Sequence, residues 1–148
     1  MTDFVALLQS ARRAGDHQRI IELIPYARLL GMRFIEDEHG LLFRLPFQRQ
    51  NLGNPYQPAL HGGVIGACME NAAIVHLLWN QESIRLPKII DFSIDYLRPG
   101  RPEELCVRCD VRRQGKRVAN VGIVAWQAPG QRTVATARTH FLLMPGAL

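Results

Sequence analysis

Cysteine is scarce in this chain and lysine scarcer. Three cysteines occur in 148 residues, Cys68, Cys106 and Cys109. So small and odd a set excludes a disulfide-stapled scaffold and fits a reducing compartment. Cys106 and Cys109 form a C-x-x-C, but the run around them alternates like a strand, where residues three apart face opposite sides. No second pair completes a zinc site, so both read as half-buried strand cysteines. The five histidines, His17, His39, His61, His76 and His140, lack ligand spacing, and no metal is expected. A long apolar run is also missing. The most apolar stretch, Val64 to Trp79, is interrupted by Glu70, Asn71 and His76, which argues against a transmembrane helix. The N-terminus carries Asp3, Arg12, Arg13 and Asp16 and no apolar block ending in a cleavage site. These absences predict a cytoplasmic protein with no membrane partner.

What is present is the composition of one folded domain: 47% hydrophobic, 21% charged and a net charge of +5. From Arg98 onward nine Lys and Arg face three acids, so that third alone carries +6. A basic face of this kind attracts polyanions. No aromatic-basic strand pattern or basic recognition helix accompanies it, so nucleic acid is not the expected partner. Only two of the eighteen cations are lysine; arginine's fork suits phosphate.

Residues 3–14 place Phe4, Leu7, Leu8 and Ala11 on one helical face, with Thr2 or Asp3 as cap. Gly15 ends that helix, Asp16 caps the next, and Pro25 either breaks it or opens one further turn, Tyr26–Leu30, before Gly31. Met32 to Phe47 reads as a hairpin turning at Asp37-Glu38-His39-Gly40, and Gln48 to Leu60 as a loop. His61-Gly62-Gly63 then opens a helix from Val64 to about Gln81 that is apolar nearly all round and so belongs inside the protein. Its small residues Gly66, Ala67, Ala72 and Ala73 allow a close neighbour. Four strands follow: Ile89–Leu97, Leu105–Arg113, Arg117–Gln127 and Thr133–Met144. The expected fold is α+β, a curved antiparallel sheet around one long central helix, with residues 1–30 as an added N-terminal helical arm and 31–148 as the main domain.

The glycine turn and the acid define the chemistry. Glu70 lies two turns into the apolar helix, where a carboxylate is costly to bury unless it has a task or a partner. The amides of Gly62 and Gly63 open the helix unpaired, and without side chains they let a carbonyl approach. Such donors stabilise an oxyanion. Eight residues of helix, about 12 Å, separate Gly62 from Glu70. Both must reach one reacting carbonyl, so the site is expected to form between two subunits with antiparallel helices.

Leu60-His61-Gly62-Gly63-Val64, the acid nine residues after the histidine, and the segment Ile90-Asp91-Phe92-Ser93-Ile94-Asp95-Tyr96-Leu97-Arg98-Pro99-Gly100 resemble the hotdog-fold acyl-CoA thioesterases. Their PaaI-like branch, with the 4-hydroxybenzoyl-CoA thioesterases, is the nearest in pattern. The resemblance spans about residues 31 to 144. It implies hydrolysis of an acyl-CoA thioester to acid and CoA in a homodimer, or a pair of such dimers, with no cofactor apart from the CoA of the substrate. Glu70 is the expected base or nucleophile, the Gly62 amide the polarising donor, and His61 the residue that holds the loop.

Many relatives carry an asparagine six residues before the histidine; here that position is Pro55, and Asn54 or Asn51 is expected to replace it. A serine or threonine that positions water in some relatives has Ile89 and Ile90 in its place. Gly63, Tyr56, Leu60 and Met69 are the remaining expected substrate contacts. Arg98, Arg101, Arg113, Lys116 and Arg117 are the expected partners of the CoA phosphates. The alternative is a non-catalytic acyl-CoA binding or sensing module on the same fold.

Overall fold

In a computed structural model, which describes residues 2–145, three helices lead into two β-sheets and one long helix. Helix α1 (Thr2–Ala14) buries Leu8 and Ala11, while Leu7 stays 38% exposed. The Thr2 side chain lies outside the described residues, and Asp3 falls within the first turn rather than before it. Helix α2 (His17–Leu23) is capped by Asp16, whose carboxylate accepts from the Arg19 N–H at 3.0 Å. Helix α3 (Pro25–Leu30) starts on its proline and ends at Gly31, whose φ of 70° suits a residue without a Cβ.

Strands β1 (Arg33–Asp37) and β2 (Gly40–Leu45) form the expected hairpin, with Asp37 opposite Gly40. The Asp37 carboxylate takes both ends of the Arg108 guanidinium, at 2.9 and 3.1 Å. That hydrogen-bonded cation, with the His39 N–H, holds its pKa down at about 2.

The segment expected as loop contains more order than its composition implied. A short 3-10 turn (Arg49–Asn51) leads into β3 (Leu52–Asn54), which pairs with β4 (Ala59–Leu60). Helix α4 follows as Gly62–Asn80. It is long and apolar enough to span a bilayer, yet here it is the core helix. Nine of its residues, Ile65 to Leu78, are buried under the sheet.

The sheet runs β1-β2-β6-β7-β8-β5, every neighbour antiparallel. Its later strands are β5 (Arg85–Tyr96), β6 (Leu105–Gln114), β7 (Val118–Gln127) and β8 (Arg132–Pro145). Strand β5 starts earlier than the sequence pattern implied and runs through Pro87. That proline is tolerated because β5 is an edge strand. Leu105, Val107, Cys109 and Val111 of β6 face the helix, as the alternation required. Phe43 and Phe141, fully buried, are each worth about 1.5–3 kcal/mol of burial. Leu8, Ile20, Ile21, Ala27 and Leu30 of the arm join the same core. The arm therefore packs directly against the domain's core.

Candidate active site

The site is built at the N-terminus of α4. His61 is the cap: its Nδ1 accepts from the Gly63 N–H at 2.9 Å, and its carbonyl accepts from the Val64 and Ile65 N–H groups at 3.0 and 3.1 Å. Its own N–H donates to the Asn51 carbonyl at 2.8 Å. A Cβ on Gly63 would stand 2.9 Å from His61 Nδ1, and one on Gly53 would stand 2.9 Å from His61 Cα. Glycine at both positions is what lets the imidazole fold back onto the helix.

This accounting corrects one expectation. The Gly63 amide is not a free donor, because His61 occupies it. Gly62 alone keeps an N–H with no acceptor among the described residues. Because the N–H and C=O of one peptide point in opposite directions, the His61 carbonyl aimed into the helix sends the Gly62 N–H outward. Beside it opens a cavity of about 440 Å³ lined by Leu60, Ile65, Tyr96, Leu97, Arg98 and Pro99.

Glu70 lies about 12 Å farther along the helix. It shares a partly exposed stripe with Gly63, Gly66, Ala67 and Ile74 on a helix that buries nine of its nineteen residues. Among the described residues no cation or donor meets its carboxylate. Partial burial without compensation pushes its pKa up from the ordinary value. The neighbouring Asn71 is structural: its Nδ2 donates to the Ala67 carbonyl at 2.8 Å.

The other expected contacts divide. Asn54 is committed to its own turn, its Oδ1 accepting from the N–H groups of Tyr56 at 2.9 Å and Gln57 at 3.2 Å. Asn51 is buried against the His61 backbone, and its Nδ2 has no partner among the described residues. Of the two candidates, only Asn51 reaches the glycine turn. Tyr56 stands 94% exposed, and Met69 is wholly buried in the core, so neither lines the cavity in a single chain. Ile89 and Ile90 are exposed on the edge strand.

The cations separate as well. Arg98 lines the cavity beside Gly62, and Arg101 sits in the same connection, its N–H bonded to Gln127 Oε1 at 2.8 Å. Lys116 instead lies near Asn80, at the far end of α4, with Arg113 and Arg117 in the same hairpin. Nineteen residues of helix put the two groups about 28 Å apart along its axis.

The sequence reading missed Tyr96, whose hydroxyl donates to the Gly62 carbonyl at 2.6 Å. Asp91, quoted in the motif, serves strand pairing: it accepts from the His140 N–H at 3.1 Å and lies 2.9 Å from His140 Nδ1. That hydrogen bond from His140 holds the Asp91 pKa below its usual value. The three cysteines are free thiols, and burial pushes Cys68 up to about 12, leaving it unreactive.

Known proteins of similar sequence and fold identify the family. The family model of the acyl-CoA thioesterase N-terminal domain matches residues 53–142. The medium/long-chain acyl-CoA thioesterase YigI of Escherichia coli is 33% identical over 135 residues, covering 81% of this chain and 86% of its own. A crystal structure from Chromobacterium violaceum shares 49% identity over 97% of this chain and 98% of its own, with a TM-score of 0.76. The PaaI protein of the E. coli phenylacetic acid degradation operon superposes with a TM-score of 0.76 at 25% identity, covering 93% of this chain and 97% of its own. A glycine turn, an isolated acid and a sheet wrapped around their helix thus coincide with a match over most of the chain, which belongs to the hotdog-fold acyl-CoA thioesterase family.

Proposed function

We propose that this protein hydrolyses medium- to long-chain acyl-CoA thioesters at two equivalent sites formed between two copies of the chain. The observation that carries the reading is the unpaired, half-buried Glu70 carboxylate on the open stripe of α4. The reacting carbonyl must lie within about 3.5 Å of both the acid and the oxyanion donor. One helix holds Glu70 and Gly62 about 12 Å apart, so the Gly62 N–H of one copy serves the Glu70 of the other. Strand β5, unpaired along its outer edge, gives the two copies a way to join their sheets and bring the α4 stripes together.

In this arrangement the Gly62 N–H takes the carbonyl oxygen, and Glu70 either adds to the thioester carbon or draws a proton from the water that does. The C–S bond then breaks, and CoA leaves as a thiolate that takes up a proton; on the nucleophilic route water next cleaves the acyl–Glu70 anhydride, releasing the acid and restoring the carboxylate. Arg98 and Arg101, at the site end of α4, are the nearer candidates for the CoA phosphates. The acyl class is supported by the family and by YigI. A reducing, cytoplasmic setting accords with three free thiols.

The test is release of free CoA from a panel of acyl-CoA chain lengths, followed with a thiol reagent. Wild type should turn over, and Glu70→Gln should lose at least about 10²–10⁴-fold in kcat while the dimer persists. Failure of wild type on every member would leave acyl-CoA binding without catalysis. Single-turnover hydrolysis in H₂¹⁸O, then mass analysis of the peptide holding Glu70, separates the two roles: label in Glu70 marks the nucleophile.

A further inference from the structure

Two peptide planes meet at Gly62, and together they carry four polar groups. In the first, the His61 carbonyl is held by Val64 and Ile65, while the Gly62 N–H is free. In the second, the Gly63 N–H is held by His61 Nδ1, and the Gly62 carbonyl, which also starts the helical ladder, by the Tyr96 hydroxyl at 2.6 Å. Three of the four are therefore pinned, the third of them by a residue 34 positions away. A glycine at the first position of a helix has the greatest backbone freedom of any residue and sits where helices fray. The His61 carbonyl sets the direction of its N–H in the first plane, and holding the second plane keeps the glycine between them from rocking.

We infer that Tyr96 is the positioning residue that steadies the glycine turn so that the Gly62 N–H stays directed at the developing oxyanion. The inference rests on the reading of Gly62 as that donor. Tyr96 is suited to the task because it is held rigidly. It ends strand β5 opposite Ala135, and the next residue, Leu97, donates its N–H to the Val134 carbonyl at 2.8 Å. Its ring lies over the start of α4, where a Cβ on Gly62 would come within 3.2 Å of the ring and one on Gly66 within 3.6 Å of the hydroxyl. The two glycines make room for the ring, and the hydroxyl converts that fit into a fixed peptide plane. Preorganised donors act in the transition state rather than in ground-state binding, so losing this one should change kcat and not KM.

Three variants of the full chain, assayed for CoA release over the acyl-CoA panel, test this. Tyr96→Phe keeps the ring and removes the hydroxyl; kcat should fall about tenfold, with KM, the pH profile and the melting temperature close to wild type. Gly62→Pro deletes the N–H at a position where proline suits a helix start, and kcat should fall about 10²–10³-fold. Gly62→Ala keeps the N–H but crowds Tyr96, and should fall about as far as Tyr96→Phe. A Tyr96→Phe enzyme with wild-type kcat, or with only KM raised, overturns the positioning role while a disabled Gly62→Pro leaves the donor standing. A Gly62→Pro enzyme as active as Gly62→Ala overturns the donor and the positioning role together.

Discussion

The two ends of α4 are finished in opposite ways. At the C-terminal end the arm closes over the helix. Arg12 donates to the Gln81 carbonyl, Asn80 Nδ2 donates to the His76 carbonyl at 3.1 Å, and Trp79 packs against His17 and Phe34 with ring centroids 4.6 and 5.4 Å away. At the N-terminal end the residues are small and the surface is open. Three of the first four helical amides are satisfied locally by His61, and the fourth, that of Gly62, has no acceptor among the described residues. Orphan backbone groups arise at both ends of any helix. This molecule caps one set with Arg12 of its arm and Asn80 of the helix itself and leaves a single donor of the other set unpaired among the described residues, so the stabilising contacts and the proposed chemistry fall at separate ends of one element.

That division can be broken in a graded way. The largest effect should come from the sealed end: Trp79→Ala removes the aromatic contact between arm and helix. It should lower stability by about 3 kcal/mol in denaturant melts, with kcat per folded molecule unchanged. A proportional loss of kcat would mean that the ends are coupled. At the open end, His61→Ala should cost about 1 kcal/mol through loss of the cap. It should also lower kcat, because the freed Gly63 N–H loosens the turn. Asn can offer an acceptor in the same place, so His61→Asn should restore most of both, as urea melts and CoA-release assays would record.

The smallest effect lies between the ends. Burial raises the folded-state pKa of Glu70, so its ionisation opposes folding. The native state then binds that proton more tightly than the unfolded chain, and stability from this group falls as pH rises through the folded pKa. Glu70→Gln should therefore melt slightly above wild type at pH 7, and the gap should vanish below the unfolded carboxylate range, near pH 4. A mutant melting below wild type at pH 7 would show that the carboxylate is satisfied in the assembled protein.

Local chemistry made much of this readable in one dimension. The Asp16 cap, the Pro25 start and the Gly31 stop are contacts within a few residues, and each occurs where the pattern put it. The alternation in β6 and β7 follows from strand geometry alone. The candidate site was half legible. His61, Gly62 and Glu70 are neighbours on one element, whereas the hold of Tyr96 on Gly62 spans 34 residues and leaves no periodic trace. That Tyr56 and Met69 do not line the cavity of the single chain was illegible for a related reason. An aromatic in a proline-rich loop and a methionine on a helix apolar all round carry no mark of which side they face, and one stands free while the other is sealed in.

Composition, spacing and turn residues by themselves determined that a buried helix opens on glycines and carries one acid, because those properties depend on a residue and its near neighbours. Only the tertiary structure decided which amide stays unpaired, which asparagine reaches the turn, and that the basic residues divide between the two ends of α4. Hydrogen bonds are exclusive and directional. Which donor remains free is known only after every competing acceptor has been brought into place by strands distant in the chain.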